Sequence, residues 1–474
     1  MFKVINFSTL LFLMAIIFSH NVLANDEVNN TINTDEDLFN QPKTFSYLKG
    51  ISPTINELDY FNFIRISIIS QPEYLYAVST VQEKNMSLKY ARRSRWPDLS
   101  FRIINDSVLK RDIQDTSSIR KIRDDSFDAA VELSQPLYSG GEINARIGIA
   151  NTDYKLSELQ KEKALSDQIL QANKIYLSAV KSDILLKYAN QIIKEARPYF
   201  NRVKERVELG ITDPIELATF SVKFNDLESK VQQLKTIRSR DVGVFEYFFK
   251  EAFSSASLPE VFIPKLTSVR DQEGYDVKLS ILSHEGKKKE VSLTKSEFRP
   301  KFGFSTRYTK YDLKDSESEN DIRGGLYFNM PIFSFGRGSA KIASSQAKAY
   351  AAKTYIDIER KNDEVAETEI INVIHSSQQI REDVFNSYID TKTQRKIIKD
   401  RLEIVSFAAE AYIDSGLREL ILLERLIDTE LNLLQGYLMF LNQNKELTDF
   451  LRVKPWVKIQ KKSKIIRIIG SGDP

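Results

Sequence analysis

The chain has no cysteine. That absence excludes disulfides, thiolate-ligated zinc, thiol catalysis and an N-terminal lipidated cysteine. Histidine is scarce: His20, His284 and His375 stand far apart, so neither a metal site nor a histidine triad has a basis. No phosphate loop occurs, because Gly336-Arg337-Gly338 lacks the rest of that pattern and reads as a strand-to-helix turn. An excess of one charge is missing too. Lys+Arg 68 against Asp+Glu 65 leaves +3 over 474 residues, which gives no reason to expect nucleic acid. Acid pairs such as Asp124-Asp125 fall in loops, where solvation is the default. No run beyond the N-terminus reaches roughly 18 apolar residues, so no membrane-spanning helix is expected. With 42% hydrophobic residues the chain can nevertheless bury a core, and its length suits two or three domains.

The N-terminus reads as a secretory signal over 1–24. Lys3 supplies the positive start, Leu10 to Phe18 the apolar stretch, and Val22-Leu23-Ala24 the small-residue cleavage site. The other reading of this stretch is a buried N-terminal helix. An exported chain without cysteine or a spanning helix is either free in the periplasm or enters the outer membrane as a β-barrel.

Proline and glycine are absent over long intervals. None occurs between Gly338 and Gly416, where 77 residues can form one helix of about 115 Å or two stacked ones. A second such interval runs from Ile149 to Arg197. Within it Leu165, Ile169, Ala172, Tyr176 and Ala179 follow a 4-3-4-3 spacing, the stripe of a coiled coil.

Four other segments alternate with period two. Phe127, Ala129, Val131 and Leu133 interleave with Asp128, Ala130, Glu132 and Ser134. Leu326, Phe328, Met330 and Ile332 interleave with Gly325, Tyr327, Asn329 and Pro331. Phe302 and Phe304 repeat the pattern, and Leu99, Phe101 and Ile103 do so less cleanly, because Ile104 joins Ser100 and Arg102. Each strand therefore has one apolar and one polar face. That suits a membrane barrel with lipid outside and water inside, and equally a soluble sheet packed on helices. The stretches between paired strands, Asn105 to Ser126 and Lys310 to Asp321, are polar throughout and suit exposed loops.

An internal repeat organises these parts. Arg95-Trp96-Pro97-Asp98-Leu99-Ser100-Phe101 resembles Phe298-Arg299-Pro300-Lys301-Phe302-Gly303-Phe304, with the prolines 203 apart (300 − 97). Gln135-Pro136-Leu137-Tyr138-Ser139-Gly140-Gly141 resembles Met330-Pro331-Ile332-Phe333-Ser334-Phe335-Gly336, at an offset of 195 (331 − 136). Glu208-Leu209-Gly210-Ile211 pairs with Asp414-Ser415-Gly416-Leu417, 206 apart (416 − 210). Such an offset is too long for a solenoid and marks a duplicated domain. Pro136 and Pro331 end strands, and Gly140, Gly141 and Gly336 permit the sharp entry into helices. Gly210 and Gly416 are expected where one long helix reverses into the next, with Pro214 opening the returning helix.

With these motifs the chain resembles the TolC-like outer-membrane efflux family. The resemblance rests on QPLYSGGEINARI, MPIFSFGRGSAKIA and the RVELGITDPIEL and YIDSGLREL reversals, and it covers roughly Pro53 to Val453. It implies a mainly α fold with a membrane β-barrel, built from duplicated helix-strand-strand-helix halves. Four strands per protomer would join a shared twelve-stranded trimeric barrel, and the long helices would form a periplasmic α-barrel. The expected division is signal 1–24, extension 25–52, first repeat 53–250, equatorial connector 251–290, second repeat 291–453 and basic tail 454–474.

The function so implied is a passive exit duct for drugs or proteins, in a tripartite efflux pump or type I secretion system. It would be a homotrimer in outer-membrane lipid, with a periplasmic adaptor and an inner-membrane transporter as partners. No catalytic group, cofactor or nucleic acid enters. The adaptor would dock at the reversals around Arg206, Gly210, Ile211, Gly416 and Leu417. The family's gate uses aspartates after the second-half glycine, held by Arg and Tyr. Here Tyr412 and Arg418 flank Gly416, the aspartate positions hold Leu422 and Arg425 beside Glu424, and Glu216 supplies an acid in the first half. An aspartate ring is therefore not carried over, and helix packing is an equal reading of Tyr412, Arg418 and Glu216. The basic stretch Lys458 to Arg467 is a solvated tail or an attractor of anionic surfaces. A periplasmic coiled-coil adaptor or structural protein is the alternative function.

Overall fold

The computed structural model describes residues 43–107, 125–253, 257–264, 273–313, 319–401 and 408–451. The expected signal with His20, residues 108–124 and 314–318 of the two expected loops, Asp124 among them, and the basic tail lie outside the described residues.

A short strand β1 (Thr54–Asn56) and helix α1 (Glu57–Ile68) come first. The first repeat unit then comprises α2 (Pro72–Arg93), β2 (Asp98–Ser107), β3 (Asp125–Tyr138), α3 (Glu142–Glu208) and α4 (Pro214–Phe249). After strand β4 (Leu258–Glu260) the second comprises α5 (Tyr275–Ser296), β5 (Lys301–Lys310), β6 (Asn320–Asn329), α6 (Arg337–Arg401) and α7 (Ala408–Gln443), followed by α8 (Leu447–Phe450). Corresponding helices match in length: 22 residues for α2 and α5, 67 and 65 for α3 and α6, 36 for α4 and α7. The boundary expected at 290/291 falls inside α5, whose start at Tyr275 is the counterpart of Pro72.

At 1.5 Å per residue the two longest helices each reach about 100 Å. Helix α3 runs further than the expected interval, continuing through Gly148 and Pro198. An internal proline forfeits a backbone bond. Burial of Ala196 and Val203 on either side keeps the helix on the core across it. The expected stripe is in place: Leu165, Ile169, Ala172, Tyr176 and Ala179 are all buried.

Strands β2-β3-β5-β6 form one antiparallel sheet in that order. Registers such as Phe101↔Val131, Val131↔Tyr308 and Tyr308↔Ile322 carry one face across all four strands. That face holds Leu99, Phe101, Ile103, Val131, Leu133, Phe302, Phe304, Leu326 and Phe328, most of them exposed to solvent in the single chain. The opposite face holds Arg102, Glu132, Arg307 and Arg323, with Arg307 Nη2 2.7 Å from Glu132 Oε2. Among the described residues both outer strands, β2 and β6, leave one edge unpaired. Gly303 lies under the Tyr327 ring, and a Cβ there would sit 2.6 Å from the Gln135 carbonyl oxygen. Glycine is what lets β5 close on β3 at this point.

Each turn from strand to long helix uses two successive positive φ angles. They are 65° and 93° at Gly140 and Gly141, and 48° and 81° at Phe335 and Gly336. Pro136 adjoins a bulge in β3, and Pro331 lies in the unpaired link after β6.

Midway along the helices, β1 and β4 pair in parallel and tie the start of the described chain to the connector between the units. Thr44 adds a bond from its N–H to the Val261 carbonyl at 3.0 Å. Around them Phe63, Tyr176, Phe245 and Phe249 stack, with Tyr60 and Tyr176 centroids 5.0 Å apart. Among the described residues no helix is long and apolar enough to cross a membrane.

Candidate functional site: a polar latch between two coiled coils

Helices α3 and α4 form one antiparallel pair, and α6 and α7 the other. In α7 the residues Tyr412, Gly416, Glu419, Leu423, Leu426, Glu430, Leu433 and Tyr437 keep a 4-3 rhythm, and all are buried. Two of these seam positions carry carboxylates at 0% exposure. Each is answered by an arginine of α6. Arg381 Nε donates to Glu430 Oε1 at 2.6 Å, and Phe45 N–H reaches Glu430 Oε2 at 2.7 Å. Arg395 Nε donates to Glu419. A buried carboxylate without such a partner would be costly, so the two pairs set the α6–α7 register.

The lower pair extends to α3. Glu195 Oε2 accepts from Tyr412 OH at 2.5 Å, Lys399 Nζ at 3.2 Å and Arg395 Nη1 at 3.3 Å. Tyr188 OH donates to Glu419 from the same helix. Burial raises the Glu195 carboxyl, but hydrogen bonds from Tyr412, Gln191 and Lys399 and the Arg395 charge outweigh it and hold it at about 2. Burial and then the bond to Glu195 push the Tyr412 hydroxyl well above its ordinary value. Burial alone would lower Arg395, yet Glu419 and its neighbours hold it firmly charged. Further contacts bind the pairs along the same side. Lys181 lies 2.7 Å from Asp428 and 3.4 Å from Glu424, Lys230 lies 3.7 Å from Glu424, and Lys223 lies 3.3 Å from Asp414. Together these contacts latch the α6–α7 pair to the α3–α4 pair near their free ends.

The expected gate residues divide accordingly. Tyr412 and Glu424 belong to the latch. Arg418 is exposed and pairs with Asp414 at 2.8 Å. Glu216 sits in the first turn of α4, away from these contacts, with Oε1 buried and unbonded. Glu195, Arg395, Glu419 and Lys181 were not foreseen; the legible signal was a charged residue at seam positions of α7.

The expected docking residues divide as well. Gly210 has φ 69°, and Ile211 N–H bonds the Arg206 carbonyl at 2.8 Å, closing the α3 terminus. Asp213 caps α4 by accepting from Ile215 N–H at 2.8 Å. Leu209, Ile211 and Ile215 are exposed around this reversal. Gly416 and Leu417 are not at a reversal, which corrects the expectation. Both lie inside α7, about 12 Å along it from Ala408. Units α3/α6 and α4/α7 start 195 (337 − 142) and 194 (408 − 214) residues apart. The pairing at 206 was therefore three helical turns out of register. The residues between α6 and α7 lie outside those described.

Residues 74–234 match the model of the family described as outer membrane efflux protein. Over that stretch, about a third of the chain, the sequence is similar to that family. No curated protein is similar to it by sequence. The efflux-protein fold extends over nearly all of the chain. The Campylobacter jejuni CmeC outer membrane channel superposes with a TM-score of 0.72 at 14% identity, over 86% of this chain and 89% of that one. VceC, an outer membrane protein of Vibrio cholerae, gives 0.63 at 12%, over 84% and 99%. The open state of the Neisseria gonorrhoeae MtrE outer membrane channel gives 0.60 at 13%, over 82% and 89%.

Proposed function

We propose that this protein is the exit duct of a tripartite efflux pump or type I secretion system, gated at its periplasmic end by the polar latch. The carrying observation is the sheet: one face mostly apolar across four strands, the other carrying the charges, at the end of helices about 100 Å long. An apolar face of that size has no cover in a soluble monomer, which argues against a periplasmic adaptor. In a membrane it meets lipid. The unpaired edges of β2 and β6 suit closure with two further copies into a twelve-stranded barrel, which removes every edge. The reversal at Arg206, Gly210 and Ile211, with its exposed apolar side chains, suits a periplasmic adaptor that in turn engages an inner-membrane transporter. Passive transport through such a duct needs a polar lumen and a gate, not a catalyst.

The test is fractionation with export measured in the same cells. Heat-modifiable trimers in the outer membrane, together with drug sensitivity or lost protein export on deletion, are expected. Clean recovery in the soluble periplasm would overturn the reading.

A further inference from the structure

The short segment joining α2 to β2 reads Arg92-Arg93-Ser94-Arg95-Trp96-Pro97, and the duct does not account for its charge. It borders a cleft of about 600 Å³ between α2, α3 and α5. Arg92, Arg95, Lys155 and Lys289 line this cleft against a single acid, Glu285. Among the described residues none of the four cations makes an ion pair, and Arg95 bonds only the neutral Asn144 Oδ1, at 2.9 Å. Four like charges gathered around one acid repel one another. The cleft is nonetheless built: Gly148 leaves room for Lys289, whose Cδ would lie 3.1 Å from any Cβ there.

Position supplies the second half of the case. Trp96 is 72% exposed, and Leu99 and Phe101, which begin the apolar face, are 69% and 66% exposed. Gln135, at the helix end of the face carrying Val131 and Leu133, donates to the Arg95 carbonyl at 3.0 Å. The cationic cleft, an amphipathic indole and the apolar face therefore follow one another along a single line. That is the order of polarity of a phospholipid: anionic headgroup, ester zone, acyl chain.

We infer that this cleft binds the headgroup of an anionic phospholipid of the phosphatidylglycerol class, whose chains lie along the apolar face beside Trp96. The lipid would come from the membrane leaflet facing the helices, so the inference rests on the duct reading given above. It anchors the barrel at a defined depth and offsets the repulsion among the four cations.

The chain has two tryptophans, Trp96 and Trp456. Full-length Trp456→Phe protein leaves Trp96 as the only tryptophan, excited selectively at the red edge of the absorption band. It is reconstituted into phosphatidylcholine vesicles containing increasing fractions of phosphatidylglycerol with brominated acyl chains, and in parallel of brominated phosphatidylcholine. Trp96 should be quenched at a much lower fraction of the anionic lipid than of the zwitterionic one. Lys155→Gln with Lys289→Gln should weaken that preference by about thirtyfold, at roughly fivefold per charge removed. Lys155→Arg with Lys289→Arg should keep it, which separates charge from folding. Equal quenching by both lipids, or a preference surviving in the glutamine variant, would overturn the inference. Displacement of the anionic lipid by excess inorganic phosphate at constant ionic strength would also overturn it, by assigning the cleft to a free anion. Failure to enter vesicles at all would overturn the duct reading and this inference together. Insertion without a lipid preference would overturn the inference alone.

Discussion

Gly416 faces Ile192 so closely that a Cβ on the glycine would sit 2.8 Å from Ile192 Cγ2. The contact joins α7 to α3 one helical turn from the Glu195 network, and it holds the two coiled coils at the spacing those hydrogen bonds require. The glycine is kept for close approach of two helices, not for a turn.

Gly416→Ala should therefore destabilise through overpacking, by about 1–3 kcal/mol, and Gly416→Val by more. Trimming the other side with Ile192→Ala should recover part of the loss in the double variant. Gly210→Ala acts differently, through positive φ, and Ile192→Ala should not rescue it. Thermal unfolding midpoints of the single and double variants decide this. Independent, additive effects of Gly416→Ala and Ile192→Ala would show that the contact carries no energy.

Glu195 gives the latch a pH dependence of defined sign. Its folded-state pKa of about 2 lies below the ordinary glutamate value of 4.5. Its stabilising contribution is complete above 4.5 and is lost as pH falls toward 2, because the unfolded chain binds the proton more readily. Stability curves of wild type and Glu195→Gln should converge over that window. Curves that stay parallel from neutral pH down to 2 would exclude Glu195 as the titrating group.

The gate proposed above opens when the α6–α7 pair leaves α3–α4. Lys181→Ala combined with Lys223→Ala removes the contacts of these two lysines to Asp428, Glu424 and Asp414, leaving Lys230–Glu424 and the buried Arg381–Glu430 and Arg395–Glu419 pairs. Single-channel recordings in planar bilayers should then show a larger open fraction at unchanged barrel stability. Conductance indistinguishable from wild type would place the gate elsewhere.

The strand faces make an asymmetric prediction. Val131 shares a face with Phe101 and Tyr308, whereas Ala130 lies opposite Arg102 and Thr309. Val131→Arg should impair barrel assembly, by about 2–4 kcal/mol if the site lies near the bilayer midplane. Ala130→Arg should be tolerated. Heat-shift gels of outer-membrane fractions compare the two. Equal tolerance would count against a lipid-facing sheet.

Much of this was legible in the chain. Alternation at Phe127–Leu133 set the strand faces, because side chains in a strand have only two directions. Scarcity of proline and glycine set the long helices, and the Pro-aromatic-Gly turns marked the duplication. The seam of α3 was readable from Leu165 onward because a coiled coil repeats its apolar positions.

The latch was not legible, for two physical reasons. Glu419 and Glu430 look like solvated helix residues until the partner helix supplies Arg395 and Arg381, some 24 and 49 residues away. Gly416 looks like a turn residue because glycine serves both a positive φ and a close helix contact, and local sequence does not separate the two. Gly210, with φ 69°, took the first use, and Gly416, packed on Ile192, took the second. The sequence by itself determined the elements, their faces and their duplication, all of which depend on neighbours along the chain. Tertiary structure alone decided which charges are buried together and how the two helix pairs are held, since those energies exist only once distant segments exclude water from one another.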